Sequence, residues 1–298
     1  MGLDFGWRRV GKRGAAGWER ALQAANRWTV WVEQRDPASH QGAAVGWVRR
    51  YRAADGQLYA VLLAAYLLLT MVPAALVAAS YVWDNPQQLS DHLVQRLGLH
   101  AATARLVQTV LVGSSEHHFV SALLAILNLV LFGMGFPRVL QLAHSRSWGI
   151  DLEKNALRDQ ARYMSVLLAL LGMGALYLFQ LRHLRSEPTA VGIVLDAAWI
   201  AAALAFFLWA PRLLLHARVA WTDLLPGAVF TVAGLIALRL VSTLVFARWL
   251  DTYTRTYGAL GVIMACFFWL IVITTILTLA AALSPALAHR RTVLARQP

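Results

Sequence analysis

The sequence predicts an all-α polytopic membrane protein: six transmembrane helices with both termini cytoplasmic (N-in/C-in), plus interfacial amphipathic helices. Three observations carry this expectation. Of 298 residues, 59% are hydrophobic and 14% charged, against roughly 25% charged in an average soluble domain. A soluble chain with that balance would lack the polar surface to cover itself. The apolar residues also come in blocks of about 20 with no charge or one, the length a helix needs to cross a ~30 Å hydrocarbon layer at ~1.5 Å per residue. Finally, Lys and Arg are distributed unequally between alternate connecting segments, as the positive-inside rule requires.

The six spans are Leu58–Val82, Val120–Phe136, Tyr163–Phe179, Ala190–Trp209, Leu225–Phe246 and Gly258–Leu283. They divide the chain into a basic cytoplasmic and interfacial segment (1–57), a six-helix membrane domain (58–284) and a cytoplasmic tail (285–298). The first 57 residues hold no apolar run followed by a small-residue cleavage site, so the first span reads as an uncleaved signal-anchor. Orientation follows from the basic residues. Ten precede the first span, five follow the second (Arg138, Arg146, Lys154, Arg158, Arg162), two follow the fourth (Arg212, Arg218) and three lie in the tail (Arg290, Arg291, Arg296). Each of the three opposite loops carries two. The net charge of +12 therefore reads as basic loops facing anionic lipid rather than as a nucleic-acid footprint.

Segments between spans have their own patterns. Trp18, Leu22, Ala25, Trp28 and Val32 recur at helical spacing among Arg20 and Arg27, as in a helix lying in the membrane interface. A second short helix is expected around Trp47, Val48 and Tyr51 beside Arg49, Arg50 and Arg52. Anionic lipid headgroups are the expected partners of this Arg-rich segment. The loop from Trp83 to Phe119 is expected to fold back as an outer lid. It holds His92, His100, His117 and His118, whose spacing does not converge on a metal. Residues 151–162 are charged on most faces and are expected to form a cytoplasmic helix leading into the third span.

The motifs of several function classes are missing. The single cysteine, Cys266, lies in an apolar run and reads as a small packing residue. Asp151 and Glu153 are two apart and do not share a helix face, and no Gly-rich phosphate loop or nucleophile elbow occurs. No catalysis, cofactor, metal or nucleic-acid partner is expected.

Two charges lie well inside spans. Asp196 falls six residues below the outer end of span four and Arg239 seven below the outer end of span five. At ~1.5 Å per residue both are roughly 9–11 Å deep. Charges are costly there and face protein or a water-filled cavity. Matched depth on antiparallel neighbours makes Asp196 and Arg239 the candidate polar site, as a register-fixing pair or as a gate.

Short motifs point to a family. Ala64-Ala65-Tyr66 with Thr70 and Pro73, Leu225-Pro226-Gly227-Ala228, and Tyr257-Gly258-Ala259-Leu260-Gly261 with Trp269 together resemble the YihY/BrkB family of bacterial inner-membrane proteins, over roughly residues 45–285. The resemblance implies six helices and a cytoplasmic-membrane location. Members carry envelope, transport and virulence labels, and an older ribonuclease label. Where members commonly end the last span with Gly-Ala-Glu, this chain has Ala280, Ala281 and Ala282, so a role resting on that Glu does not carry over. Physically, Pro73 is expected to kink span one. Gly258 and Gly261, with Gly133, Gly135, Gly172 and Gly174, are expected to serve close helix approach. The functional expectation is transport or flipping of an envelope lipid or small solute. The alternative is a non-catalytic scaffolding role in envelope integrity.

Overall fold

The computed structural model describes residues 40–82, 127, 130–152, 156–183 and 189–294. Within them the chain is helical, with seven helices and no strand: α1 (His40–Ala53), α2 (Gly56–Val82), α3 (Gly135–Trp148), α4 (Ala156–His183), α5 (Thr189–Leu214), α6 (Trp221–Tyr257) and α7 (Ala259–Leu294). Three stretches are long and apolar enough to cross a membrane, Gly192–Leu214, Trp221–Ser242 and Leu260–Thr292. The pair Gln41–Ala53 and Gly56–Met71, bent by 60°, would make a fourth if read as one span. The described residues thus establish a membrane protein with three to four candidate spans. The Trp83–Phe119 lid with its four His residues, and the amphipathic stretch 16–33, lie outside them.

The last helix is the axis of the bundle. α7 packs against α1, α2, α3 and α6, while α5 packs on α6 and α4 on α5. Its sequence explains this position. Thr274, Thr278, Ala280, Ala281, Ala282, Ser284 and Ala286 are all buried, and these small or hydroxyl side chains let neighbouring backbones come close. Thr274 Oγ1 donates to the Ala60 carbonyl of α2 at 2.7 Å while also bonding its own helix. The Gly227 N–H of α6 donates to Ser284 Oγ at 3.0 Å. Trp47 Nε1 of α1 donates to the Leu279 carbonyl at 2.8 Å, and its ring meets Phe230 edge-on at 5.4 Å. Trp47 is therefore held by contacts to two other helices.

Two glycines are fixed by close approach. A Cβ on Gly135 would fall 2.1 Å from the Tyr66 ring, and one on Gly227 would fall 2.8 Å from the Ala280 carbonyl oxygen. Gly258 works differently. Nothing lies within 4 Å of its Cβ direction, but its φ is +59°, the left-handed geometry that suits glycine at a helix end. It makes the turn between α6 and α7, so the expectation of close packing there is corrected. Gly172 and Gly174 likewise meet nothing within 4 Å.

Several expected boundaries shift. The second span was expected to stop at Phe136, with a loop from Arg138. Instead the helix is interrupted at Met134 and continues as α3 to Trp148. Pro137 lacks the N–H that would bond the Gly133 carbonyl, which accounts for the break. α3 is buried along Val139, Leu140, Gln141, Ala143 and His144. Of the charged stretch before span three, residues 156–162 form the first turns of α4, and α7 continues past Leu283 to Leu294. α2 runs through Pro73 to Val82; the side chains of that stretch lie outside the described residues.

The α6–α7 contact yields a test. Gly227→Ala should destabilise the protein by about 1–3 kcal/mol, the usual cost of overpacking, read as a lower unfolding midpoint in detergent. Ser284→Ala should not rescue it, because the Ala280 backbone oxygen remains. Gly172→Ala should leave the midpoint unchanged; equal midpoints for the two glycine variants would refute the contact.

Candidate functional site

Asp196 of α5 and Arg239 of α6 face each other. Arg239 Nη1 lies 3.8 Å from Asp196 Oδ1, and the side chains are 56% and 51% exposed. The distance sits at the outer limit of an ion pair. The exposure means that protein packing does not seal the pair on all sides. Pairing offsets part of the cost of holding each charge inside a span, and the open side leaves donors of the Arg239 guanidinium available to another anion.

A second polar group gathers where α3, α4 and α5 meet. Gln141 Nε2 donates to the Leu214 carbonyl at 2.7 Å, at the end of α5 where the last carbonyls have no helical partner. The Tyr163 hydroxyl of α4 donates to Gln141 Oε1. One side chain thus ties three helices. Nearby, His144 is buried, and its Nδ1 bonds the Leu140 carbonyl at 2.9 Å. Burial lowers its pKa to about 4, against a smaller opposing effect of the Leu140 bond, so the ring is neutral at pH 7. His144, Pro211, Gly227, Thr231 and Ser284 line a cavity of about 20 Å³, a volume on the scale of a single water and too small for a solute.

The helix ends bring charge together at one end of the bundle. Arg146 Nη1 meets Asp55 Oδ2 at 2.6 Å, and Asp159 Oδ1 takes both Arg162 at 2.8 Å and His216 at 3.0 Å. Arg212 donates to the Val219 carbonyl at 2.9 Å, and Arg218 to that of Asp151 at 2.9 Å. These bonds hold the α5–α6 corner, where His216 and Ala217 have positive φ of 56° and 57°, a geometry that costs non-glycine residues roughly 1–2 kcal/mol each. All of these residues belong to segments that the charge pattern assigns to one side.

Several motif residues fall at helix contacts. The Tyr66 ring covers Gly135. Pro226 removes the donor that would bond the Thr222 carbonyl, and Arg291 Nη1 lies 3.5 Å from that oxygen and 3.9 Å from Asp223. Trp269 meets Trp249 edge-on at 6.3 Å. Tyr257 is exposed at the end of α6, and Gly261 is buried in α7. Ala282 is fully buried. No group of three or more potential metal ligands occurs among the described residues. Sequence reasoning missed Gln141 and His144, since 138–150 read as a loop; Val139, Leu140 and Ala143 at helical spacing were the available signal.

A family model described as Virulence factor BrkB matches residues 47–298, most of the chain. No curated protein and no solved structure matches it significantly.

The buried imidazole gives a pH dependence. Unfolded His binds a proton near pH 6.5, and the folded ring only near pH 4, so the unfolded state binds more protons in that window and stability falls as pH drops through it. The full contribution is present above about pH 6.5, and about 3 kcal/mol is lost by pH 4. His144→Gln should flatten this limb in thermal unfolding from pH 4 to 7. An unchanged slope would show that His144 is not buried in its neutral form.

Proposed function

We propose, from the premise that this chain belongs to the Virulence factor BrkB family, that it is a six-span protein of the bacterial cytoplasmic membrane. Its termini lie in the cytoplasm, and it moves an envelope lipid or small solute without enzymatic chemistry. The observation that carries the transport reading is the Asp196–Arg239 pair, a half-exposed pair of charges inside two spans. Charges in that position are expensive and mark substrate or ion pathways more often than they serve packing. An anionic substrate group would compete with Asp196 for the Arg239 guanidinium, which favours bidentate oxygen ligands. The inward-facing topology is supported by the charge count and by the clustering of Asp55, Arg146, Asp159, Arg212 and Arg291 at one end of the bundle.

A second reading has its own support. The cavity among α3, α5, α6 and α7 is only about 20 Å³, and the buried Ala282 replaces the family's carboxylate. Both fit a scaffold that organises envelope assembly by contact with partners. Reconstitution in liposomes with fluorescent lipid and anionic solute probes separates the two. Transport predicts protein-dependent probe movement, reduced at least tenfold by Arg239→Gln, the scale of losing one charge-assisted contact. If Asp196→Arg combined with Arg239→Asp restores full movement, the pair serves structure alone. Absence of movement for every probe supports the scaffold. Reporter fusions after Phe179 and Trp209 should lie on opposite sides, outside and cytoplasmic respectively; alkaline phosphatase activity at Trp209 would reverse the topology.

A further inference from the structure

The faces of α4 and α5 form a lipid-shaped feature away from the ion pair. An open groove of about 360 Å³ runs between them, walled by Ala169, Gly172 and Leu176 of α4 and Ala205, Phe206 and Trp209 of α5. Among the described residues nothing lies within 4 Å of the Cβ direction of Gly172, so a larger side chain there would project into open space beside the groove. Trp209 also walls a second pocket of about 270 Å³, with Arg162, Arg212, His216 and Trp221. Trp209 lines both, so the two pockets adjoin at this residue, the first apolar and the second basic. From Arg162 to Leu176 the feature spans roughly 20 Å at ~1.5 Å per residue, slightly more than one leaflet of a ~30 Å hydrocarbon core.

Among the described residues, carboxylates do not balance the charge of the basic end. Arg162 and His216 share the single carboxylate of Asp159. Among the described residues no carboxylate pairs with Arg212; its guanidinium donates to the Val219 carbonyl at 2.9 Å and lies 4.6 Å over the Trp221 ring. Two guanidinium groups against one carboxylate leave a positive excess, and each guanidinium has donors beyond the bonds described. Such a fork binds a phosphate bidentately. A flanking tryptophan suits the headgroup level of a bilayer.

We propose that this groove and pocket hold one anionic phospholipid of the cytoplasmic leaflet, its phosphate on Arg212 and Arg162 and one acyl chain along Gly172 to Trp209. The site is separate from the Asp196–Arg239 pair and stands whether or not the protein moves a substrate.

The test uses the full chain purified in non-ionic detergent. Bound lipid is read by native mass spectrometry with phosphatidylglycerol, phosphatidylcholine, sn-glycerol 3-phosphate and inorganic phosphate as separate probes. Phosphatidylglycerol should be retained about tenfold better than phosphatidylcholine, the scale of one or two nearby basic residues, and neither soluble anion should be retained. Arg162→Gln should reduce that preference. Gly172→Leu should weaken retention of both lipids by filling the groove. Arg212 ties the α5–α6 corner directly and Arg162 shares Asp159 with His216 of that corner, so Arg162→Gln is read together with Gly172→Leu, which leaves the corner untouched. Equal retention of the two lipids would overturn the proposal. So would binding of glycerol phosphate as tight as that of the lipid, which would mean a soluble-anion site. Undiminished retention in Gly172→Leu would overturn it as well.

Discussion

The close approach of the other helices to α7 is the constraint on which the rest of the bundle depends. In a bilayer no hydrophobic force draws apolar helices together, so packing of small residues and interhelical hydrogen bonds must do so. α7 concentrates both on one stretch. Thr274 holds α2, the Leu279 carbonyl holds α1, and Ser284 holds α6. The run Ala280-Ala281-Ala282 is buried between these contacts. The Leu-Pro-Gly-Ala motif is the α6 counterpart of this face. Gly227 gives the clearance, and Pro226 frees a carbonyl near which Arg291 settles.

This arrangement places the polar elements in two zones. At one end of the bundle, short ion pairs and carbonyl bonds join consecutive helix ends and set the α5–α6 corner. Higher up, the α5–α6 seam carries Asp196 and Arg239, both about half exposed. The two zones differ in position. The first joins its charges at helix ends, whereas the second sets a pair of charges inside two spans. That difference is why the pair, rather than the buried His144 or Gln141, supports a role in handling a substrate.

Much of this was legible in the sequence. Long apolar runs gave α2, α4, α5, α6 and α7 with their approximate centres, and matched depth placed Asp196 opposite Arg239. Helix ends were harder to read, because α6 and α7, with 37 and 36 residues, are about 55 Å long at ~1.5 Å per residue and outrun their apolar cores. α3 was hidden for a different reason. Arg138, Gln141, His144 and Arg146 give it a polar composition that masks the spacing of Val139, Leu140 and Ala143. Yet Gln141 and His144 are buried, Gln141 on the Leu214 carbonyl of α5, a contact that no sequence pattern announces. The glycines show the same limit: Gly135 and Gly227 serve close approach, Gly258 serves a left-handed turn, and Gly172 opens a groove. Sequence alone treats them alike.

Cysteine cross-linking in native membranes tests the central role of α7 most directly. With Cys266 replaced by Ser, Ala60→Cys and Thr274→Cys should form a disulfide rapidly under mild oxidation, since both positions are buried at the α2–α7 contact. Leu168→Cys, on an exposed face of α4, should not link to Thr274→Cys. A disulfide from the first pair and none from the second is the result this account predicts. Failure of the first pair to link in a folded, membrane-inserted protein would contradict it.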